Sequence, residues 1–293
     1  MATEQVDKID PFEAYRPLLF SIAYRMTGSV MEAEDIVQET YLRYQSKPPS
    51  EIRSLKPFLT TITTRLCLDY LKSARTQRES YIGPWLPEPL ITEDVSMKLV
   101  KRYELISTAF LVLLENLSPI ERAVFLLREV FDHSYAEIAE IVDKREANCR
   151  QYYRNAKQYL GARRPRFEVS AADHEKLVRR FMEAVVHGNV AQLTTLLAED
   201  VTLWSDGGGK VPAARRPLQG QETIMRLLLS AAGRQALADF TVTIREVNGA
   251  PALLLYAGEE IISVTNFVVH DERIHEIHII WNLDKLQHLT PHN

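Results

Sequence analysis

The sequence predicts a multidomain protein in which two all-α blocks are followed by an α+β domain. Apolar residues recur at helical spacing from about residue 10 to 78 and again from about 96 to 162. A proline-rich stretch, Gly83-Pro-Trp-Leu-Pro-Glu-Pro89, separates the two helical blocks. After about residue 172, two short helical patterns give way to strand-like runs separated by turn residues, which is typical of an α+β domain.

Three helices are expected in the first block. The Gly28-Ser29 pair ends the first helix, and the Ser29 hydroxyl is suited to cap the second. The second helix should end near Gln45, because two prolines follow it closely. The third is expected from Leu55 to Arg78, with Pro57 in its first turn, where proline is tolerated.

The second block carries the pattern of a helix-turn-helix. A short helix with one apolar face ends at Val142, Asp143 to Arg145 can make the turn, and a second helix follows from Glu146. From Lys144 to Arg166 there are eight Lys or Arg residues and one acid, although a solvated basic helix would have the same composition. The side chains able to read base edges or hold phosphates are those of Lys144, Arg145, Asn148, Arg150, Gln151 and Arg154.

The overall composition is that of an ordinary globular protein and excludes a uniformly basic nucleic-acid binder. Of 293 residues, 46% are hydrophobic and 25% are charged, and the formal net charge is -4. Contacts with nucleic acid must therefore come from local basic faces. The two cysteines, Cys67 and Cys149, lack the spacing of a zinc site and are expected as small core residues. No apolar run reaches the roughly 20 residues of a bilayer span, so we expect a cytoplasmic protein without a membrane partner.

The third helix is a second basic candidate for nucleic-acid contact. Between Arg53 and Arg78 there are six Lys or Arg residues and one acid. Phe58 either supports an unstacked base beside positive charge or belongs to the core. Asp69 either contributes to that face or pairs with Arg65 or Lys72 on the helix surface. The candidates are Arg53, Lys56, Phe58, Arg65, Asp69, Lys72 and Arg75.

The second helix has the opposite charge and would repel DNA. Its sequence runs Met31-Glu-Ala-Glu-Asp-Ile-Val-Gln-Glu-Thr-Tyr-Leu-Arg-Tyr44. An acidic helix of this kind faces either a basic protein surface, through charge complementarity, or only water.

In this order and spacing, the acidic helix, the basic helix and the helix-turn-helix resemble the extracytoplasmic-function (ECF) sigma factors of bacterial RNA polymerase. The resemblance assigns residues 10–78 to sigma region 2 and 105–162 to sigma region 4. It implies binding to core polymerase and promoter DNA, with no catalytic residue, cofactor or metal. Region 2 would dock on the β′ clamp through Asp35, Gln38, Glu39 and Leu42, and region 4 on the β flap. The basic helix would contact the −10 element, and the helix from Lys144 to Arg154 would read the −35 element.

Three further phrases resemble a narrower subgroup, the sigma-J-like factors with a fused C-terminal SnoaL-like domain. They are Trp85-Leu-Pro-Glu-Pro89, Asp206-Gly-Gly-Gly-Lys210 and Asn282-Leu-Asp-Lys-Leu286. The resemblance implies a cone-shaped α+β domain with an apolar pocket. The expected divisions are 1–78 for region 2, 79–104 for a linker, 105–165 for region 4 and 172–293 for a regulatory domain. Candidate interdomain residues are Trp85, Pro87, Asp206, Gly207, Gly208, Gly209, Lys210, Asn282, Asp284 and Lys285.

Some features of the last domain allow more than one interpretation. The glycine loop after Asp206 is either a flexible hairpin or a contact with the helical part, and its spacing excludes a P-loop. His275 and His278 are a poor metal-ligand pair, because residues three apart on a strand point to opposite faces. A pocket could be lined by Trp204, Asp206, His275, His278 and Trp281.

These patterns favour an initiation factor regulated in cis by its C-terminal domain, with an unknown small ligand of that domain left open. One alternative is a SnoaL-like enzyme or ligand sensor fused to a DNA-binding module. Another is a one-component repressor or activator that binds duplex DNA without polymerase. The second alternative gives no role to the acidic helix or to the basic helix Arg53–Arg78.

Overall fold

The computed structural model describes residues 10–79, 81–92, 107–161, 170–230 and 240–289. The end of the expected linker, from 93 to 104, and the expected boundary near residue 165 lie outside these ranges. The side chain of Arg75 also lies outside the described part of helix Leu55–Glu79.

The first block consists of three helices, as predicted. They are α1 (Arg16–Thr27), α2 (Val30–Gln45) and α3 (Leu55–Glu79), with a 3₁₀ turn at Pro49–Glu51. Gly28 ends α1 in the left-handed conformation with φ 68°, and the Ser29 Oγ accepts a hydrogen bond from the Glu32 amide at the start of α2. This short connection turns α2 back along α1, so that both pack on α3.

The second block contains the predicted helix-turn-helix. Its helices are α4 (Thr108–Leu114), α5 (Pro119–Glu129), α6 (Tyr135–Val142) and α7 (Glu146–Gly161). Capping boxes at Ser118 and Ser134 begin α5 and α6, because each serine exchanges hydrogen bonds with the glutamate three residues later. Asp143 ends α6 in the left-handed conformation with φ 52°, which turns the chain into α7.

The two helical blocks share one hydrophobic core. Leu19 of α1, Leu71 of α3 and Leu126 of α5 belong to the same buried cluster. Cys67 and Cys149 are buried in it, as predicted, and burial raises the pKa of the Cys67 thiol. The two blocks are therefore packed against each other in this structure.

The C-terminal domain is α+β, and its predicted strand-like runs are strands. The helices are α8 (Ala171–Val186), α9 (Val190–Leu196) and α10 (Gln221–Leu228). The strands are β1 (Leu197–Asp206), β2 (Leu218–Gln219), β3 (Thr241–Val247), β4 (Ala250–Ala257), β5 (Glu260–His270) and β6 (Arg273–Ile280). Two 3₁₀ turns follow, at Leu283–Lys285 and Gln287–Leu289. The sequence did not predict β2 or α10.

The strands form one mixed sheet in the order β2-β1-β6-β5-β4-β3. Strands β1 and β6 are parallel, whereas the other neighbouring strands are antiparallel. Parallel neighbours need a long crossover, which here is the whole segment from β2 to β5. One face of the sheet packs on α8, α9 and α10, and the other packs on Leu86 of the linker and Val112 of α4.

Two helical blocks followed by a sheet-containing domain confirm the predicted fold class. Within the described ranges, no helix combines the length and the apolar character needed to cross a bilayer.

Gly28 supports a prediction about the contact between the α1–α2 turn and the linker. A Cβ atom at Gly28 would lie 2.7 Å from the Trp85 ring, whereas Gly258, at φ 65°, has open space around it. Gly258→Ala should cost only the left-handed backbone strain of roughly 1–2 kcal/mol. Gly28→Ala should lower the thermal unfolding temperature further, because Trp85 must also move. An equal decrease in the thermal unfolding temperature of the two variants would contradict a tight contact between Trp85 and the turn.

Candidate functional site

The acidic face of α2 is open to solvent. Asp35 and Gln38 are exposed, and the Leu42 side chain is 53% exposed although it is apolar. Glu39 is half-buried and pairs with Arg43, with 2.8 Å between Oε1 and Nε. The opposite face of the helix is buried on α1 and α3. An exposed leucine within an acidic surface has the character of a protein-docking face.

The candidate −35 face is also open. All six predicted side chains, Lys144, Arg145, Asn148, Arg150, Gln151 and Arg154, are exposed, while Cys149, Ala156 and Leu160 bury the other face of α7. The Arg150 guanidinium pairs with Glu146 at 2.5 Å and lies 4.5 Å from the centre of the Tyr135 ring. The turn and the first turns of α7 are therefore accessible to a DNA groove.

The candidate −10 face differs, because one of its residues is held by the helix-turn-helix. The Arg65 Nε donates to the Ile141 carbonyl at 3.0 Å, and Nη2 donates to the Glu140 carbonyl at 3.0 Å. These carbonyls lie in the last turn of α6, where the helix dipole is negative. A guanidinium expected to meet DNA is thus bonded to the helix-turn-helix, the other candidate for DNA contact.

The other described candidates on this face are exposed, except Phe58. Asp69 pairs with Lys72 at 2.8 Å on the surface, which is one of the two pairings considered from the sequence. Phe58 is half-buried and packs against the helical core, as the core interpretation predicts. Arg53 and Lys56 are exposed.

A buried ion pair in the C-terminal domain holds the linker. The Lys285 ammonium lies 2.8 Å from the Asp206 carboxylate, and both residues are buried. The Leu86 amide donates to Asp206 Oδ2 at 2.9 Å, and Lys285 Nζ donates to the Leu86 carbonyl at 2.5 Å. Both backbone polar groups of one linker residue are thus satisfied by this pair. We call Asp206, Lys285 and Leu86 the linker clamp.

Aromatic side chains of the linker complete the surroundings of the clamp. The Tyr81 hydroxyl donates to Asp206 Oδ1 at 2.5 Å and accepts from the Asn282 amide at 3.0 Å. Burial, followed by the Asp206 carboxylate, raises the pKa of Tyr81, so the phenol remains a neutral donor. The Lys285 ammonium lies 4.1 Å from the centre of the Trp85 ring, a cation–π distance. Pro87, the other linker candidate, is buried.

The glycine loop approaches both the C-terminal turn and the linker. Gly208 has φ 61°, and a Cβ there would lie 2.4 Å from the Asn282 side chain. Gly207 precedes it, and Gly209 faces Ile82 of the linker, which a Cβ would meet at 3.0 Å. This close approach favours the contact interpretation of the loop. At its end, Lys210 pairs with Asp284 at 2.5 Å on the surface.

A linker glutamate that the sequence reasoning missed caps α2. The Glu88 carboxylate is buried and accepts hydrogen bonds from the Ser29 hydroxyl, the Val30 amide and the Met31 amide, at 2.8, 2.7 and 3.2 Å. It therefore neutralises the positive end of the α2 dipole. Glu88 lies inside the Trp85–Pro89 phrase, but nothing local indicates that its partner is a helix distant in sequence.

A second contact that the sequence reasoning missed joins the linker to the β3–β4 turn. The Tyr24 hydroxyl donates to the Glu88 carbonyl at 2.7 Å and accepts from the Asn248 side-chain amide at 2.6 Å. Asn248 also accepts from the Leu90 amide at 3.1 Å, and Ile91 forms an isolated bridge with Val247. The Asn248-Gly249 pair is a recognisable hairpin signal, although it gives no indication of these partners.

The apolar pocket of the C-terminal domain is lined mostly by residues other than those predicted from the sequence. Of its five proposed residues, Trp281 lines the apolar pocket of the domain. The other four proposals are wrong. Trp204, Asp206 and His278 belong to strand positions that face the linker side, and His275 stacks on His270 outside the pocket. Within the described ranges, no group of side chains could hold a metal ion.

Comparison with known proteins identifies the family. Residues 11–77 match the model of Sigma-70 region 2, and residues 107–160 match that of Sigma-70, region 4. The chain is 38% identical over 257 residues to the ECF RNA polymerase sigma factor SigJ of Mycobacterium tuberculosis, covering 86% of this chain and 79% of that relative. The chain belongs to the ECF sigma factors.

Another relative and a solved structure are similar to this ECF sigma factor over nearly its whole length. The probable ECF RNA polymerase sigma factor SigI of M. tuberculosis is 30% identical over 283 residues, covering 92% of this chain and 91% of that one. The crystal structure of M. tuberculosis SigJ matches with a TM-score of 0.77 and 32% identity, over 94% of this chain and 97% of that one. This sigma factor therefore binds RNA polymerase and promoter DNA and directs promoter-specific transcription initiation.

The Arg65 contact supports a prediction about how the two promoter-reading regions are held. Arg65→Ala removes two charged hydrogen bonds to α6, each worth roughly 1.5–3 kcal/mol. We expect faster amide hydrogen exchange at the interface between α3 and α6 in the free protein. Lys72→Ala, which removes a basic side chain that pairs with Asp69 on the same helix, should leave this exchange unchanged. Matching exchange in both variants would mean that Arg65 does not hold the interface.

Proposed function

We propose that the C-terminal domain regulates this sigma factor in cis, by clamping the linker while regions 2 and 4 are packed together. The observation that carries the proposal is the linker clamp, in which the buried Asp206–Lys285 pair binds both backbone groups of Leu86. A buried ion pair is strongly destabilised when the groups that satisfy it are displaced. It therefore fixes the position of the linker.

The clamped linker also reaches region 2. Glu88, two residues after Leu86, caps α2, and Leu90 bonds to the turn that holds Tyr24. The linker thus ties the C-terminal sheet to the junction of α1 and α2. Moving the C-terminal domain away would leave the start of α2 without its carboxylate cap.

The packing of region 4 on region 2 opposes simultaneous reading of both promoter elements. The −10 and −35 elements are about 25 base pairs apart, or about 85 Å at 3.4 Å per base pair. Arg65 of the candidate −10 face is bonded directly to α6 of the helix-turn-helix. Promoter engagement therefore requires these regions to separate, and contacts that hold them together act against it.

The docking face on α2 is accessible in this closed arrangement. Asp35, Gln38 and Leu42 are exposed and Glu39 is half-buried, so we assign them to the β′ clamp of core polymerase. We assign region 4 to the β flap and its exposed α7 face to the −35 element. Arg53, Lys56 and Arg65 are assigned to the −10 element. Polymerase would bind the closed factor in the cytoplasm and then favour its open form.

A second candidate function is ligand sensing or catalysis by the C-terminal domain. The apolar pocket beside the sheet favours sensing, because the described lining residues include no acid, base or charged side chain. General acid–base catalysis needs such a group within reach of the substrate.

The exposed Lys210–Asp284 pair provides a control for the clamp. Lys285→Met keeps the length of the side chain but leaves Asp206 without its cation, and breaking a buried pair in this way costs roughly 3–5 kcal/mol. We expect faster hydrogen exchange across 81–92 and a larger yield of promoter-specific transcripts with limiting core polymerase. Lys210→Met removes an ion pair that is largely solvated, so both quantities should stay at the wild-type level.

Circular dichroism and thermal unfolding of both variants would establish that the C-terminal domain remains folded. Unchanged transcription by a folded Lys285→Met variant with a released linker would contradict regulation in cis.

A further inference from the structure

The apolar pocket of the C-terminal domain lies away from the promoter-reading faces, between the sheet and helices α8 and α10. Its volume is ≈ 550 Å³, within the range of roughly 300–1,000 Å³ that small-molecule sites occupy. Phe181 and Val185 of α8 form one wall, and Leu227 and Leu228 of α10 form another. The sheet supplies the floor, and nearly all of these surfaces are apolar.

Three hydroxyl groups interrupt the apolar floor. Ser205, Ile279 and Thr265 are register partners across β1, β6 and β5, so two of the hydroxyl-bearing residues lie in one row. Ser263 lies one pleat further along β5, and its side chain is 3% exposed. The Ser263 Oγ has no hydrogen-bond partner among the described residues. Buried hydroxyls are nearly always satisfied, so a hydroxyl-bearing residue on the floor of a cavity offers a hydrogen bond to a bound molecule.

We propose that this pocket binds a small neutral molecule with a largely apolar body and one hydrogen-bonding group that meets Ser263. None of the described lining residues carries a charge. A charged ligand would therefore be desolvated without a counter-ion, which is strongly unfavourable. A neutral molecule loses little on entering and satisfies the buried hydroxyl.

The pocket is connected to the linker clamp through adjacent residues. Ser205 and Trp281 line the pocket, and the residue after each, Asp206 and Asn282, contacts Tyr81 of the linker. A smaller cavity of ≈ 260 Å³ shares Ser205 with the pocket and is bounded on its other side by Ile82 and Gly83 of the linker. A bound molecule therefore stabilises the arrangement in which the linker is seated. This consequence rests on the proposed regulation in cis, whereas binding itself does not.

The binding site can be tested on the full chain with Nile red, a neutral dye whose fluorescence rises in apolar surroundings. We expect saturable binding to the wild type. Leu228→Trp places a larger side chain in the pocket wall and should weaken dye binding about tenfold or more, because pocket volume is lost. Val190→Trp adds a similar ring at an exposed position of α9, 55% exposed, and should bind the dye as the wild type does. Equal dye binding by all three proteins would place the dye on the surface and overturn the proposal.

A matched pair of competitors tests the predicted chemistry of the ligand. 1-Decanol and decanoate have the same chain length and differ in charge at neutral pH. Decanol should displace Nile red at a concentration about tenfold or more below that of decanoate, since burial of an unpaired carboxylate is unfavourable. Displacement by decanoate at equal or lower concentration would overturn the assignment of a neutral ligand.

The connection to the clamp has its own readout. Saturating decanol should slow hydrogen exchange across 81–92 in the wild type, and it should leave this exchange unchanged in Leu228→Trp. Decanol binding without slower exchange would overturn the connection while leaving the pocket assignment intact. None of these measurements uses polymerase, so their failure would be distinguishable from failure of the proposed regulation.

Discussion

The ion pair between Asp206 and Lys285 lies where the sheet, the C-terminal turn and the linker meet. Both side chains are buried, and they form hydrogen bonds with Leu86 and Tyr81 of the linker. A buried pair of this kind adds little net stability compared with apolar packing, but removing one partner is strongly unfavourable. Its physical effect is therefore to fix where the linker lies. The glycine loop, the Asn282 side chain and the cation–π contact with Trp85 all depend on that position.

A fixed linker has consequences at both of its ends. Glu88 completes the N-terminus of α2, and Asn248 joins the linker to the β3–β4 turn. Because the parts belong to one chain, their effective concentration is roughly millimolar, so weak contacts suffice to hold them together. The contact of Arg65 with the last turn of α6 is one of these, and it connects the two promoter-reading regions without help from the C-terminal domain. The closed arrangement is thus held at several points.

Much of this architecture was predictable, because it is encoded by local signals. Helical periodicity, the Ser29 cap and the strand-like runs of β3 to β6 each depend on a few neighbouring residues, and the structure contains the corresponding elements. The two-residue strand β2 is too short for such a signal, whereas the amphipathic helix α10 has one that the sequence analysis missed. The parallel pairing of β1 with β6 depends on the tertiary fold, as do the burial of Glu88 and the partners of Arg65. The sequence motifs indicated which loops make contacts, but they could not indicate which side chain faces which partner.

The most direct test measures the distance between regions 2 and 4. Gln45→Cys and Gln158→Cys place spin labels at exposed ends of α2 and α7, and the native Cys67 and Cys149 are buried, which makes labelling selective. In the free protein, electron spin resonance should give one narrow distance distribution. With core polymerase and promoter DNA the distance should increase by tens of ångströms, on the order set by about 25 base pairs between the two elements. An unchanged distance in the complex, or a broad long distance in the free protein, would contradict a closed sigma factor that opens on the promoter.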